Sequence, residues 1–266
     1  MREASIEKHR NTAMLLIQNI NLAAAVIGTM ENKAASDKIV SAFFNKNNSG
    51  SYDERHQKMA PIVDNLHFLI GLILKNLPAD SNILCVGVGT GAEIIRLAEA
   101  HPYWRFTGID PSADMLEVCH AQLEKNGLSS RTTLFHGYLS EFEGTETFDA
   151  VLCLFVTQFV KDISERLAMF NAMAARLNPK GYLINAELSE DMSSPQFDDL
   201  LEKWKTLQLA AGSSEEQVAK ILDAWQQHVA IVPSTSIEDF LRQSGFSMPI
   251  QFFQSFLMHA WYSQKS

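Results

Sequence analysis

The sequence predicts an α/β protein built on a mostly parallel sheet, and three features of the chain indicate this fold. The first is a short apolar run at residues 83–86 that passes through alternating glycines into a helix-patterned stretch at 92–101. The second is an acidic residue, Asp110, at the end of the next apolar run. The third is the alternation of strand and helix signals over residues 82–190. Such alternation favours parallel strands with helices on both faces.

The central elements follow from this alternation in chain order. Strands are expected at residues 82–87, 105–110, 132–136, 148–154 and 181–187. Helices are expected between them at 92–101, 113–126 and 162–177. The sequence Asn-Pro-Lys-Gly at 178–181 predicts a turn before the fifth strand. Ligands of such a sheet bind at the carboxyl ends of its strands.

The N-terminal part is expected to be helical. Residues 1–39 carry apolar side chains at helical spacing, and 57–77 have the same pattern, with an Asn-, Ser- and Gly-rich loop at 43–55 between them. The first helix is interpreted as packing on the core or on a second subunit, so a homodimer is one expectation. The alternative interpretation is a lid over a ligand.

The C-terminal part begins with two predicted helices. Ser194-Pro195 can open the first and Gly212 ends it, while Ser213 and Glu216 have the spacing of a capping box for the second. We interpret this pair as an inserted helical cap. A short helix at 236–244 and strands at 250–253 and 256–262 are expected to follow. The predicted division is therefore an N-terminal helical extension and lid, a core, the cap and a segment that completes the core, in the order 1–78, 79–190, 191–233 and 234–266.

Composition restricts the class of protein. The chain has 266 residues, of which 46% are hydrophobic, so it can bury one large core. Its net charge of −9 opposes a broad nucleic-acid surface. The three cysteines lack the paired spacing of a disulfide framework or a metal site, which favours a reducing compartment. The apolar stretch at 14–27 is interrupted by amides and is shorter than the roughly 20 residues of a membrane span, so we expect a cytoplasmic protein without a membrane partner.

The glycine turn and Asp110 together predict a site for an adenosine-containing ligand. A turn built of Gly87, Gly89 and Gly91 lets backbone N–H groups approach a nucleotide-like ligand. Asp110, at the end of the second predicted strand, has a side chain that can accept hydrogen bonds from both hydroxyls of a ribose.

With these motifs, Phe148-Asp149 at the start of the fourth strand and the terminal strand pair, the chain resembles class I S-adenosylmethionine-dependent methyltransferases. The resemblance covers about residues 40–190 well and the rest more loosely. It implies a Rossmann-like, mostly parallel seven-stranded sheet with an antiparallel C-terminal strand. It also implies S-adenosylmethionine as cofactor and a small-molecule methyl acceptor.

The resemblance assigns cofactor-binding roles by position. Gly87, Gly89 and Gly91 would approach the methionine part of the cofactor, and Asp110 would hold the ribose. Met115 would pack on the adenine. The remaining cofactor-binding assignments are Tyr52 in the lead-in, Gly137, Tyr138 and Leu139 after the third strand, and Leu154 and Phe155 after the fourth.

Two departures from the family pattern weaken the expected cofactor binding. Cys85 stands where the family has an acidic residue, and Tyr138 replaces the usual acidic contact to the adenine amino group. Each lost hydrogen bond would cost on the order of 1 kcal/mol. We therefore expect cofactor binding that is weaker than usual.

The acceptor side is less defined. Gln158, Trp204, Trp225 and His228 are predicted to bind the substrate, although core packing is the alternative for the tryptophans. The candidate proton acceptors are Tyr52, His136, Tyr138, Glu187 and His228. The sequence does not identify the base, and no metal is expected.

Three other functions compete. The segments 52–55, 158–160 and 244–246 resemble the carboxy-S-adenosylmethionine synthases of tRNA modification. That subfamily uses a cap arginine to pair with the extra carboxylate, and residues 190–241 contain no arginine. The spacing from Gly87 to Ala92 also fits the fingerprint of an NAD-dependent dehydrogenase. A non-catalytic, regulatory protein that retains the fold is the third.

Overall fold

A computed structural model describes residues 59–266, all of which belong to one compact unit. The predictions for the N-terminal helix at 1–39, the loop at 43–55 and Tyr52 lie outside the described residues. Within residues 59–266 no helix is both long and apolar enough to cross a membrane.

The described chain alternates helices and strands. The helices are α1 (Ala60–Leu74), α2 (Ala92–Ala100), α3 (Ala113–Lys125), α4 (Ile163–Arg176), α5 (Pro195–Ala210), α6 (Glu215–His228) and α7 (Ser234–Gln243). The strands are β1 (Asn82–Val86), β2 (Arg105–Asp110), β3 (Thr132–His136), β4 (Phe148–Leu154), β5 (Leu177–Leu188), β6 (Phe246–Ser255) and β7 (Met258–Lys265). Short 3₁₀ turns lie at Ser129–Arg131, Leu139–Glu141 and Thr157–Phe159.

The strands form one seven-stranded sheet in the order β3-β2-β1-β4-β5-β7-β6. Strands β1 to β5 are mutually parallel, whereas β7 runs antiparallel to both β5 and β6. This confirms the predicted Rossmann-like sheet with an antiparallel C-terminal strand. The strand order reverses beside β1, so a crevice forms where β1 and β4 end. We call the side on which β1, β2, β4 and β5 end the carboxyl edge.

Helices cover both faces of the sheet, and the apolar side chains of β1 point alternately to the two faces. Ile83 and Cys85 face a core cluster shared with α1, α2 and α3, while Leu84 and Val86 face a second cluster shared with α4 and α7. Successive strand residues point to opposite faces, so a strand buried on both faces is apolar throughout. A third cluster joins α5 and α6 to Leu188 at the end of β5.

Two local predictions are wrong. The expected turn at 178–181 belongs to β5, which begins at Leu177 opposite Phe148 and holds Lys180 at a φ of 64°. Leu177 pairs with Phe148 and Tyr182 pairs with Ala150, and the irregular register between these two pairs accommodates residues 178–181 as a bulge in the strand. The capping box lies one residue later than expected: Ser214 Oγ accepts a hydrogen bond from Gln217 N–H, and Gln217 Oε1 accepts one from Ser214 N–H.

Candidate functional site

The glycine turn lies between β1 and α2 at the carboxyl edge. A Cβ atom at Gly87 would lie 2.3 Å from Val156 Cγ2, and one at Gly91 would lie 2.7 Å from Cys119 Sγ. Both positions therefore exclude a side chain. At Gly89 a Cβ atom would meet nothing within 4 Å, so this part of the turn faces open space. This open space leaves room for a ligand to approach the backbone of the turn as closely as the cofactor's methionine part would.

Asp110 is buried at the end of β2 and connects the turn to the next helix. Its Oδ2 accepts a hydrogen bond of 2.8 Å from Gly89 N–H, and its Oδ1 accepts one of 2.8 Å from Ser112 N–H. Burial raises the pKa of Asp110, and the two backbone N–H groups and His136 partly oppose that shift. A carboxylate oxygen can accept more than one hydrogen bond, so both oxygens retain capacity for ribose hydroxyls.

Cys85, one of the two departures from the family pattern, lies near the end of β1, just before the glycine turn. Cys85 is fully buried, and burial raises the pKa of its thiol well above the ordinary value. It is therefore neutral and cannot supply the negative charge of an acidic residue. Glu93, in the first turn of α2, lies close enough to affect Cys85 electrostatically. Burial raises the pKa of Glu93 to about 8; its own backbone N–H opposes this shift and nearby Asp110 adds to it.

The end of β3 lies beside Asp110. Gly137 N–H donates a hydrogen bond to the Asp110 carbonyl oxygen, and Tyr138 N–H donates one to Glu141 Oε2. The side chain of Leu139 is buried in the core cluster that β1 shares with α4 and α7. Only the backbone of Leu139 can therefore make a polar contact with a ligand. Met115 is 2% exposed at the start of α3. The assignment of these four residues to cofactor binding stays a prediction.

Phe155 follows β4 in an unusual backbone conformation. Its φ is 60°, in the left-handed region that bulky residues rarely adopt, and its N–H donates a 2.6 Å hydrogen bond to the Ala186 carbonyl. The bond holds the chain where it leaves the sheet. Leu154, the last residue of β4, is half-buried beside it. Backbone strain of this kind concentrates at functional sites.

Gln158 connects β5 to the segment that leaves the helical pair, by which we mean α5 and α6. Its Oε1 accepts a hydrogen bond from Leu188 N–H over 2.8 Å. Its carbonyl oxygen accepts one from Ala230 N–H, also over 2.8 Å. The side chain is 6% exposed, so both bonds are shielded from solvent. Substrate binding by Gln158 stays a prediction. The two hydrogen bonds show that Gln158 also connects neighbouring segments of the chain.

Glu187 is a poor candidate for the base. Its carboxylate forms an ion pair with Arg166, with Oε2 beside Nη2, and both side chains are buried. Glu187 Oε1 also accepts a 2.7 Å hydrogen bond from Asn185 Nδ2. Desolvation lowers the pKa of Arg166 to about 10, so the guanidinium remains charged at neutral pH. Both oxygens of the Glu187 carboxylate therefore already have partners within the protein.

Sequence reasoning did not identify Arg166, Asn185 or Thr157 as parts of this site. Thr157 Oγ1 donates to Asn185 Oδ1 over 3.4 Å, which extends the buried network towards β4. The available signal was that Asn185 and Glu187 alternate within an apolar strand and therefore share one face. Buried polar side chains require partners, but nothing in the sequence indicated which residues these would be.

The helical pair packs on the carboxyl edge of β5 through apolar contacts. Trp204 is 4% exposed, and its ring lies 4.2 Å from that of Trp225, measured between centroids. Both belong to the cluster that contains Leu188. His228 is the last residue of α6 and is half-buried. Their roles in substrate binding stay predictions; the structure assigns the two tryptophans a packing role.

His136 Nε2 lies 3.1 Å from the Pro111 carbonyl oxygen, which occupies that ring nitrogen. Within residues 59–266 no group of three or more His, Cys, Asp or Glu side chains is placed to hold a metal ion.

The sequence is similar to those of known methyltransferases and related enzymes. A family model described as a methyltransferase domain matches residues 83–181. A carboxy-S-adenosyl-L-methionine synthase of Campylobacter jejuni is 27% identical over 209 residues, which are 76% of this chain and 85% of the relative. Ribosomal RNA small subunit methyltransferase G of Chlorobium limicola is 30% identical over 190 residues, 71% of this chain and 70% of the relative.

Solved structures share the fold. Magnesium protoporphyrin IX methyltransferase from Synechocystis, with bound SAH, superposes with a TM-score of 0.62 at 17% identity and covers 86% of this chain and 100% of that one. A putative O-methyltransferase from Nostoc punctiforme superposes with a TM-score of 0.58 at 18% identity, over 78% of this chain and 58% of that one. From the sheet order, the glycine turn and these similarities together, the chain belongs to the class I S-adenosylmethionine-dependent methyltransferases, enzymes whose cofactor is S-adenosylmethionine.

Proposed function

We propose that this enzyme transfers the methyl group of S-adenosylmethionine to a small-molecule acceptor. The observation that carries the proposal is the hydrogen bond from Gly89 N–H to Asp110 Oδ2, which brings the open glycine turn together with the carboxylate that we propose to bind the ribose. When bound, the cofactor supplies a methyl carbon on a positively charged sulfur. The protein's task is to hold the acceptor in line with that carbon, at about 3 Å, and to exclude water.

The acceptor is proposed to bind between the end of β4 and the helical pair, which would then serve as a cap. Phe155 and Gln158 follow β4, and the helical pair packs on the end of β5. The face of the helical pair that packs on β5 is apolar, and a lining of this kind suits an apolar or flat small molecule. The O-methyltransferases among the structural neighbours are consistent with such an acceptor. The four-part division at residues 78/79, 190/191 and 233/234 is part of this proposal.

A carboxy-S-adenosylmethionine synthase activity is the second candidate, because such a synthase aligns with this chain over 85% of its own length. Its cofactor product carries an additional carboxylate, which requires a cationic partner. Residues 190–241 contain no arginine. The lysines described on the helical pair form surface ion pairs instead: Lys203 with Asp199, Lys205 with Glu202, and Lys220 with Glu216. These contacts favour methyl transfer.

The test is calorimetric titration of the purified protein with S-adenosylmethionine, S-adenosylhomocysteine and NAD, followed by an acceptor screen read by mass spectrometry. We expect both sulfur compounds to bind, NAD not to bind, and S-adenosylhomocysteine to accumulate with a methylated acceptor. Accumulation of a carboxylated cofactor would instead support the second candidate. Binding of the cofactor with no transfer to any acceptor would favour a regulatory protein, and binding of NAD alone would overturn the proposal.

A further inference from the structure

The segment that leaves the helical pair, residues 229–233, is held against the carboxyl edge from several sides. We call this segment the strap. Ala230 is bonded through both of its backbone groups: its N–H donates to the Gln158 carbonyl over 2.8 Å, and its carbonyl accepts from Arg166 Nη1 over 3.1 Å. Further along the strap, Ser189 Oγ donates to the Val232 carbonyl over 2.7 Å.

Arg166 is the only arginine described in contact with the strap, and it reaches the strap from the first turn of α4. Its guanidinium lies between the Ala230 carbonyl and the Glu187 carboxylate, and its carbon Cζ lies 5.8 Å from the centroid of the Phe240 ring on α7. The side chain is 1% exposed. A rigid guanidinium fork can bind two acceptors at once in a fixed geometry, which a lysine cannot do.

Burial of a charged pair is not explained by stability alone. Transfer of both charges from water carries a desolvation cost that often equals or exceeds their attraction, and apolar replacements of such pairs are frequently as stable. The pair at Arg166 and Glu187 lies where the substrate side of the cleft is proposed, at the start of the helix that follows the segment containing Gln158. The position of the ion pair therefore suits a role in holding neighbouring segments of the cleft in place.

We propose that Arg166, anchored by Glu187, is a positioning residue that fixes the strap and Gln158 relative to the end of β5. By doing so it sets the shape of the acceptor side of the cleft, while the cofactor side depends on Gly89 and Asp110. The inference rests on the proposed function for its link to the acceptor. Its structural part, the fixation of the strap, does not depend on catalysis.

The experiment compares wild-type protein with the double variant Arg166→Met/Glu187→Gln. The double variant removes both charges, so no isolated buried charge remains, and the amide oxygen introduced by Glu187→Gln can still accept from Asn185. Hydrogen–deuterium exchange of peptides that cover residues 226–234 is measured together with the melting temperature and the affinity for S-adenosylhomocysteine. We expect exchange in the strap to rise about tenfold or more, because a charge-assisted bond to Ala230 is lost. Affinity for S-adenosylhomocysteine should change less than about twofold, because no cofactor-side contact is altered.

Arg176→Met provides a matched control. Arg176 ends the same helix, binds the carbonyls of Phe142 and Gly144, and lies over the Phe142 ring. Its replacement should loosen the 142–147 loop without affecting the strap. Arg166→Lys tests the need for a fork: it keeps a positive charge beside Glu187, and we expect strap exchange close to that of the double variant.

Strap exchange within about twofold of wild type in the folded double variant would overturn the inference. Loss of S-adenosylhomocysteine binding in that variant would also overturn it, because the pair would then support the cofactor side. With an acceptor found for the wild type, the double variant should show a raised KM for the acceptor and a nearly unchanged affinity for the cofactor. If the wild type binds no cofactor and methylates nothing, the proposed function fails, while the exchange result still decides the role of Arg166.

Discussion

The backbone N–H of Gly89 donates a 2.8 Å hydrogen bond to Oδ2 of Asp110. This bond joins the turn after β1 to the end of β2, so the carboxylate that we propose to bind the ribose also shapes the glycine turn. The other oxygen of the same carboxylate receives Ser112 N–H, which begins α3. A change at Asp110 should therefore affect ligand affinity more than the general fold, because the sheet beneath it is apolar.

Asp110→Asn should weaken the binding of S-adenosylhomocysteine by about tenfold, since one charge-assisted acceptor is lost while the shape of the side chain is kept. Isothermal titration checks the affinity. Asp80→Asn, at an exposed position before β1, is the control and should bind as the wild type does. Equal affinities for the Asp110 variant and the wild type would remove Asp110 from the ribose-binding site.

Gly89→Val should abolish cofactor binding, because its side chain would enter the open space in front of the turn. Backbone strain should cost about 1–2 kcal/mol of unfolding free energy, as for other residues forced into the left-handed region. Gly127→Val is a matched control, since Gly127 also has a positive φ and open space around it but lies after α3. Calorimetric titration that gave normal binding for Gly89→Val would place the ligand elsewhere.

Gly91→Ala should lower the free energy of unfolding by about 1–3 kcal/mol through overpacking, because its Cβ would lie 2.7 Å from Cys119 Sγ. Cys119→Ala removes the sulfur, so the double variant should be more stable than the two single effects predict. Urea denaturation of all four proteins measures this coupling. Strict additivity would show that the two positions do not contact each other.

Glu93→Gln should raise stability near neutral pH. The pKa of Glu93 rises from 4.5 to about 8 on folding, chiefly through burial. The protonated carboxyl therefore stabilises the fold fully below pH 4.5, and this contribution is lost as the pH rises towards 8. Urea denaturation at several pH values between 4.5 and 8 gives the free energy of unfolding. This free energy should decrease with rising pH more steeply for the wild type than for the variant. Glu99→Gln, at an exposed site on the same helix, is the control for the loss of one carboxylate from α2.

The central strands were predictable because burial on both faces imposes continuous apolar runs. The predicted bounds of β2, β3 and β4 agree with the structure. The start of β5 was not predictable: Pro179 and Gly181 indicate a turn locally, whereas pairing of Leu177 with Phe148 keeps the segment in the sheet. The Lys265 ammonium, which donates to the Leu177 carbonyl from 88 residues away, reinforces that pairing. Tertiary contacts of this kind leave no local pattern.

The candidate site likewise contains some residues that the sequence indicates and others that it does not. The glycine turn and Asp110 are local motifs with a direct chemical meaning, so sequence reasoning places them. The partnership of Arg166 with Glu187 joins a helix to a strand 21 residues later, and neither residue stands in a recognisable motif. The sequence therefore offers Glu187 as a candidate base without indicating that its carboxylate pairs with Arg166.

The helical pair starts and ends at nearly the same point of the sheet, because Ser189 and Val232 form a β-bridge. The segment between Ser189 and Val232 is therefore an insertion whose two ends pair with each other. A different sequence between these ends leaves the strand order and the cofactor turn unchanged, since neither depends on the interior of the insertion. Evolution or design can therefore exchange the helical pair while the sheet and the glycine turn are retained.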